Sequence, residues 1–313
     1  MVSNELTLFC MSATPFHEDL SLDESAFRSH LRRLVAARNG IYLGSGGAGE
    51  GHVLTARELR RIYEIGVEEA KGKVPLCANP RESRSAALMY EVAKEAVEAN
   101  VDVVQIYQLD AGHGMIPTQR EQDVYFTELL SEIDHPVAIS IHAYAGYAAT
   151  PDYLKQLCAR FEQICAINVV GPPNSYFMAL RDELPERIKL YTSIVNLVHV
   201  ATLGASGALL AENNLIPNVC QSIADAYEAR DLDKLAHGTR TVQRFANVVN
   251  KWAPSSGRWV KMAMKVLGLG NGVLRPPYLL PPQEDQDRMA AAFAALRIRE
   301  EEGLDAPPGG RRA

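Results

Sequence analysis

Apolar residues along the chain fall into two alternating patterns. Short, nearly continuous apolar runs occur at residues 6–12 (LTLFCMS), 40–46 (GIYLGSG), 74–80 (VPLCANP) and 101–109 (VDVVQIYQL). Four more follow at 136–144 (PVAISIHAY), 164–170 (ICAINVV), 188–193 (IKLYTS) and 204–210 (GASGALL). Their length and composition predict strands covered on both faces, as parallel strands are. Between them lie stretches with helical periodicity, including 23–39 (DESAFRSHLRRLVAARN), 55–72 (TARELRRIYEIGVEEAKG), 83–100 (SRSAALMYEVAKEAVEAN) and 150–163 (TPDYLKQLCARFEQ). Thr55 with Glu58 predicts a helix start, and Asn39-Gly40 and Gly72 predict the ends of the first two helices.

Strict alternation of strand and helix predicts an α/β fold, a (β/α)8 TIM barrel, with an open doubly wound sheet as the runner-up. Past the eighth run the pattern is helical alone. The expected organisation is a barrel over 1–225, a C-terminal helical appendage over 226–302 and a disordered tail over 303–313. At 313 residues, one large barrel with an extension accounts for the whole length.

Composition narrows the function. An apolar content of 47% supports a large core, and a net charge of −6 without a basic stripe argues against nucleic acid or an anionic membrane surface as partner. Cys10, Cys77, Cys158, Cys165 and Cys220 form no CxxC pair, and four of them sit in apolar runs, which predicts reduced thiols. With no signal-peptide pattern and no apolar run of membrane-spanning length, the expected location is the cytoplasm.

Four stretches together resemble the dihydrodipicolinate synthase/N-acetylneuraminate lyase superfamily: SATPF (12–16), GGAGEGHVLTARE (46–58), GASGALLAENNLIPNVCQSIADAYEARDLDKL (204–235) and WVKMAMKVLGLGNGVLRPP (259–277). The resemblance implies a barrel with C-terminal helices, a homodimer or homotetramer, and a small-molecule substrate with no cofactor. It also implies class I aldolase or dehydratase chemistry, in which a lysine on the sixth strand forms an imine with a 2-oxo acid and a fifth-strand tyrosine relays protons. Aligned without gaps, the family pattern puts Asn168 at the lysine position and Ser140 at the tyrosine position. The two carboxylate-binding hydroxyl residues before "GE" become Gly47 and Ala48, and the loop after the fourth strand, QLDAGHGMIPTQ, is about three residues longer. A carboxamide nitrogen does not attack carbonyls, so the resemblance implies the scaffold without its Schiff base.

Candidate chemistry then comes from the strand ends. Period-two alternation puts Ser140, His142 and Tyr144 on one face of the fifth strand. His142, an imidazole that titrates near neutrality, is the leading acid–base candidate. Asn168 is a candidate oxyanion donor or a structural hydrogen-bonding group. His113 and Asp110 come from the fourth-strand loop, and Gly47, Ala48 and Gly49 offer backbone N–H groups. Glu212, Asn213 and Asn214 follow the eighth strand. Asp110, His113 and His142 are types that ligate zinc or iron, but no HxH or HExxH spacing supports a metal, and none is assigned. Ser140–His142 lacks a nucleophile elbow, and the glycines of GSGGAGEG lack a following Lys-Ser/Thr, so neither a serine nucleophile nor a phosphate loop is assigned. Two readings stand: a lyase-type enzyme working on a small carbonyl compound or 2-oxo acid by non-covalent acid–base chemistry, or a catalytically retired barrel acting as a metabolite-binding or regulatory protein.

Overall fold

The computed structural model describes residues 5–80, 84–110, 112–142, 145–252 and 256–305. Each apolar run contains a strand: β1 (Thr7–Met11), β2 (Gly40–Leu43), β3 (Leu76–Ala78), β4 (Val103–Tyr107), β5 (Val137–His142), β6 (Ile164–Val170), β7 (Lys189–Thr192) and β8 (Gly207–Leu210). All pairings are parallel and the strands close in chain order, β8 returning to β1. This is the (β/α)8 barrel. Around it lie α1 (Glu24–Ala36), α2 (Ala56–Ala70), α3 (Ala86–Glu98), α4 (Gln119–Glu132), α5 (Pro151–Arg160), α6 (Asn174–Glu183), α7 (Leu197–Ala201) and α8 (Pro217–Glu228). The extension adds α9 (Leu232–Val249), α10 (Ser256–Leu267), α11 (Gln283–Ala295) and α12 (Ile298–Glu302). None of these helices is long and apolar enough to cross a membrane.

Local chemistry sets the helix starts. Thr55 and Thr118 each form a reciprocal capping box, with Glu58 and Glu121 respectively, and Thr150 caps α5 ahead of Pro151. The first helix ends differently from the expectation. Arg38 takes the left-handed position (φ 59°), Asn39 is buried with its amide donating to Ala37 O, and Gly40 already belongs to β2. Gly40 is small because a Cβ there would lie 2.6 Å from the Phe9 ring.

Two packing layers follow from the strand alternation. One face of each strand turns outward to the helices, where Ile41, Leu76, Ile106, Ile139, Ile167 and Leu190 join the main core. The other turns into the lumen, where Phe9, Tyr42, Cys77, Ala138, Ala166, Tyr191 and Leu209 pack together. The rings of Tyr42 and Tyr191 meet Phe9 edge-on at centroid distances of 5.1 and 5.2 Å. A second core joins β1, β8 and α8 to the extension: Leu8, Leu210, Val219 and Ile223 pack with Phe245, Val260, Met262, Met289 and Phe293. The expected boundary at residue 225 therefore falls inside α8 and inside this shared core. Of the expected tail, Gly303–Asp305 are described and form a turn after α12; residues 306–313 lie outside the described residues.

Candidate functional site

One step along each strand from the apolar lumen layer, towards the C-terminal ends, the inward positions turn polar. They are Asn79 after β3, Gln105 on β4, Ser140 on β5 and Asn168 on β6. Tyr107 on β4 and His142 on β5 follow one further step on. Ser140 sits in register with Tyr107 on one side and Asn168 on the other.

Asn168 is fully buried, and its Nδ2 donates to Gln105 Oε1 and to Tyr42 OH (3.2 Å). Strands β6 and β2 stand on opposite sides of the barrel, so these bonds cross the lumen. Gln105 Nε2 donates onward to Asn79 Oδ1 at 3.1 Å, and Tyr107 OH donates to the same oxygen at 2.8 Å. Five side chains, four from strands β2, β4 and β6 and one from the residue after β3, thus form one hydrogen-bonded plug. Desolvation raises the Tyr42 phenol well above its usual pKa, so it stays neutral. Both amide hydrogens of Asn168 are engaged, and its Oδ1 has no partner. Of the two roles open to this amide from sequence, oxyanion donor or structural hydrogen-bonding group, the geometry fits the structural one. The amide holds the floor of the mouth.

His142 lies at the rim above this floor, at the last residue of β5, half-buried. Burial pushes its pKa down to about 4, so the ring is neutral at physiological pH. Its backbone oxygen accepts from Gln108 Nε2 (3.2 Å), which also donates to Tyr147 O (2.7 Å), tying together the loops after β4 and β5. Ser140 is buried one step below. Tyr144, expected on the same face, lies outside the described residues.

The loop after β2 forms another part of the rim. Gly49 N–H donates to Ser45 Oγ (3.0 Å) and its carbonyl accepts from Thr14 Oγ1 (2.7 Å), so this N–H is not available to a ligand. Among the described residues the N–H groups of Gly47 and Ala48 have no hydrogen-bond partner; Gly47 is exposed, whereas Ala48 is fully buried. The loop is fixed from behind by an ion pair that is almost fully buried, Lys261 Nζ to Glu50 Oε1 at 2.9 Å, the side chains only 3% and 2% exposed. Lys261 also donates to Thr14 O and Val273 O and lies over the Phe16 ring. Arg275 donates its backbone N–H to Glu50 Oε2 and its guanidinium to Glu58. Gly47 and Gly257 meet backbone to side: a Cβ on Gly257 would lie 2.9 Å from Gly47 O, so α10 abuts the loop directly.

The remaining expected residues do not join this group. Asp110 accepts the N–H of Gly112 (2.9 Å) and orders its own loop, and no hydrogen bond or ion pair joins it to a histidine. His113 is exposed with φ 50°. Among the described residues no cluster of three His, Cys, Asp or Glu side chains is placed to hold a metal. Glu212, Asn213 and Asn214 form a 3₁₀ turn behind the barrel wall. Asn213 is fully buried and donates to Asn39 Oδ1. Asn214 bonds Ala13 N, His30, Met11 O and Ala211 O. Glu212 accepts the Ala211 N–H and lies near the thiols of Cys10 and Cys220 on the helix side, its pKa raised by burial. These three close the seam between β8 and β1 and do not line the mouth.

Lysine placement bears directly on the chemistry. Within the strands the one lysine is Lys189, exposed at the N-terminal end of β7 and so at the opposite end from the mouth. The sequence reading missed Asn79, Gln105, Tyr107 and Tyr42. Gln105 was detectable by the same signal that singled out Asn168, an amide inside an apolar strand run.

A family model described as the dihydrodipicolinate synthetase family matches residues 5–296. A 4-hydroxy-tetrahydrodipicolinate synthase of Chlorobium phaeovibrioides is 23% identical over 290 residues, covering 91% of this chain and 95% of that protein. A probable 5-dehydro-4-deoxyglucarate dehydratase of Methylobacterium radiotolerans is 26% identical over 278 residues, covering 86% and 88%. The crystal structure of dihydrodipicolinate synthase from Aquifex aeolicus shares the fold, with a TM-score of 0.84 at 19% identity over 94% of this chain and 98% of that one.

Proposed function

Because this chain belongs to the dihydrodipicolinate synthetase family, we propose that it is a lyase-type enzyme acting on a small carbonyl compound or 2-oxo acid by non-covalent acid–base chemistry at the C-terminal mouth of the barrel. The family relatives named above, a synthase and a dehydratase, support the lyase-type assignment. The observation that supports the mechanism is the plug around Asn168, an amide hydrogen-bonded across the lumen at the β6 position that the sequence resemblance gives to the imine-forming lysine.

In this reading a substrate carboxylate or carbonyl oxygen rests on the N–H group of exposed Gly47 at the rim, with Ala48 buried beneath it. His142, neutral at pH 7, takes the proton next to the carbonyl and returns it to the leaving group or to carbon. Tyr107 is nearly buried and hydrogen-bonded to Asn79, and it forms the wall below. Asn168 positions Tyr42 and Gln105 without touching substrate. With no imine to delocalise the carbanion, hydrogen bonds alone stabilise the enolate, which favours an already activated substrate.

The test is proton exchange. Pyruvate and larger 2-oxo acids are incubated with the protein in D₂O, C3 proton loss is followed by NMR, and borohydride is added in parallel to trap any imine. Expected are catalysed exchange, a loss of about 10²–10⁴-fold in His142→Ala, and no borohydride-trapped adduct. A trapped lysine adduct would overturn the mechanism, and absence of exchange with every acid would overturn the 2-oxo acid reading. The closed lumen beneath the rim favours a second reading, a metabolite-binding barrel; saturable binding without exchange is its signature.

A further inference from the structure

Helix α9 and the turn after it carry no carboxylate from Lys234 to Lys251, in a chain where 38 acidic residues outnumber 32 basic ones. His237, Arg240, Thr241 and Arg244 recur at helical spacing on one face of α9. Opposite them stand Leu296, after the end of α11, and Glu301 of α12. Together these six residues line a cavity of about 170 Å³, away from the loops that form the barrel mouth.

The charges in this cavity are unequally matched. Glu301, its one carboxylate, accepts from His237 Nε2 at 2.8 Å. Across the cavity Arg297 is held by Glu300 and Arg299 by Asp305. Arg240 and Arg244, both exposed, have no hydrogen-bond or ion-pair partner among the described residues. Two guanidinium groups one turn apart repel each other, and α9 carries no carboxylate within a turn of either to offset that repulsion. Each presents a planar fork of donors that matches the paired oxygens of a phosphate or carboxylate, and Thr241 adds a hydroxyl between them. The cavity has room for one such group with its hydrating water and not for a nucleotide.

We propose that this pocket is an oxyanion-binding site, taking the phosphate or carboxylate group of a small metabolite and separate from the barrel mouth. Arg240 and Arg244 hold the anion, and the hydrogen bond to His237 Nε2 keeps the Glu301 carboxylate turned towards that ring.

Isothermal titration of the full chain with inorganic phosphate, and separately with malonate, at constant ionic strength in chloride tests the site. The expected result is saturable single-site binding of at least one probe, weakened by about tenfold or more in Arg240→Gln and in Arg244→Gln. Arg120→Gln, which removes an exposed arginine of α4, leaves it unchanged. Preference for phosphate or for malonate identifies which group the site is built for. No saturable binding of either probe, or equal weakening in all three variants, overturns the proposal. Thermal unfolding with and without each probe gives an independent reading, because an anion held by the native state raises Tm and loses that effect in the two α9 variants.

Discussion

At the scale of single residues, the amide on β6 and the imidazole on β5 have opposite fates. Asn168 has no exposed surface and spends both hydrogens inside the lumen, whereas His142 is carried by the pleat to the half-open rim. Period-two alternation was enough to place Ser140 and His142 on the inner wall, and that part of the site was legible in the sequence. Glu212 and Asn213 were misplaced for a physical reason: β8 ends at Leu210, the backbone enters a 3₁₀ turn, and inside–outside alternation no longer applies past that point. Burial lowers the His142 pKa from 6.5 to about 4, which fixes the sign of a pH effect. Only the neutral ring accepts a proton, and the fold keeps it neutral as pH falls until about 4. If His142 is the base, kcat/KM stays level through the range where a free histidine titrates and declines only near pH 4 and below. An inflection of kcat/KM near pH 6.5 that disappears in His142→Ala would contradict this placement.

At the scale of elements, the Lys261–Glu50 pair turns α10 into a support for the loop after β2. The carboxylate is out of contact with water, so removing its cation leaves a buried charge. Lys261→Met is expected to cost about 3–5 kcal/mol in urea unfolding. The double variant Glu50→Gln/Lys261→Met should recover much of that loss, because no unpaired charge remains. A single-variant loss below about 1 kcal/mol would mean that the pair does not hold the loop. The elements themselves were largely legible, with β6 coinciding with its apolar run at both ends. The runs at β2, β3 and β8 overshot because the sequence pattern counts apolar and glycine residues, whereas the strand stops where ladder bonds stop. Gly44, at φ 73°, turns the chain immediately after Leu43. The buried ion pair was not legible, because its partners lie more than 200 positions apart in the sequence and meet only when α10 docks.

At the scale of the molecule, barrel and extension share one core. Phe245 stacks on Phe293 at 5.1 Å and meets Trp259 edge-on, and this aromatic group covers the β8–β1 seam together with Leu8, Leu210 and Val219. Glu302, near the far end of the chain, accepts the N–H groups of Asn218 and Val219 and so caps α8, its pKa raised to about 7 by burial. A chain ended after Ala229 is therefore expected to be insoluble or molten, while the full chain unfolds in one transition by circular dichroism and by tryptophan fluorescence alike. A soluble truncated barrel with native near-ultraviolet dichroism would refute the shared-core description. The same Glu302 contact has a consequence for synthesis. All eight strands exist once Leu210 has been added, yet the cap of α8 and the cover of the seam are still to come. At roughly 5–20 residues per second, the ~90 residues from there to Glu302 take about 5–20 s on the ribosome. Through that interval the nascent chain holds a closable sheet with one greasy flank open, and this is the stage at which a chaperone would find the most to bind.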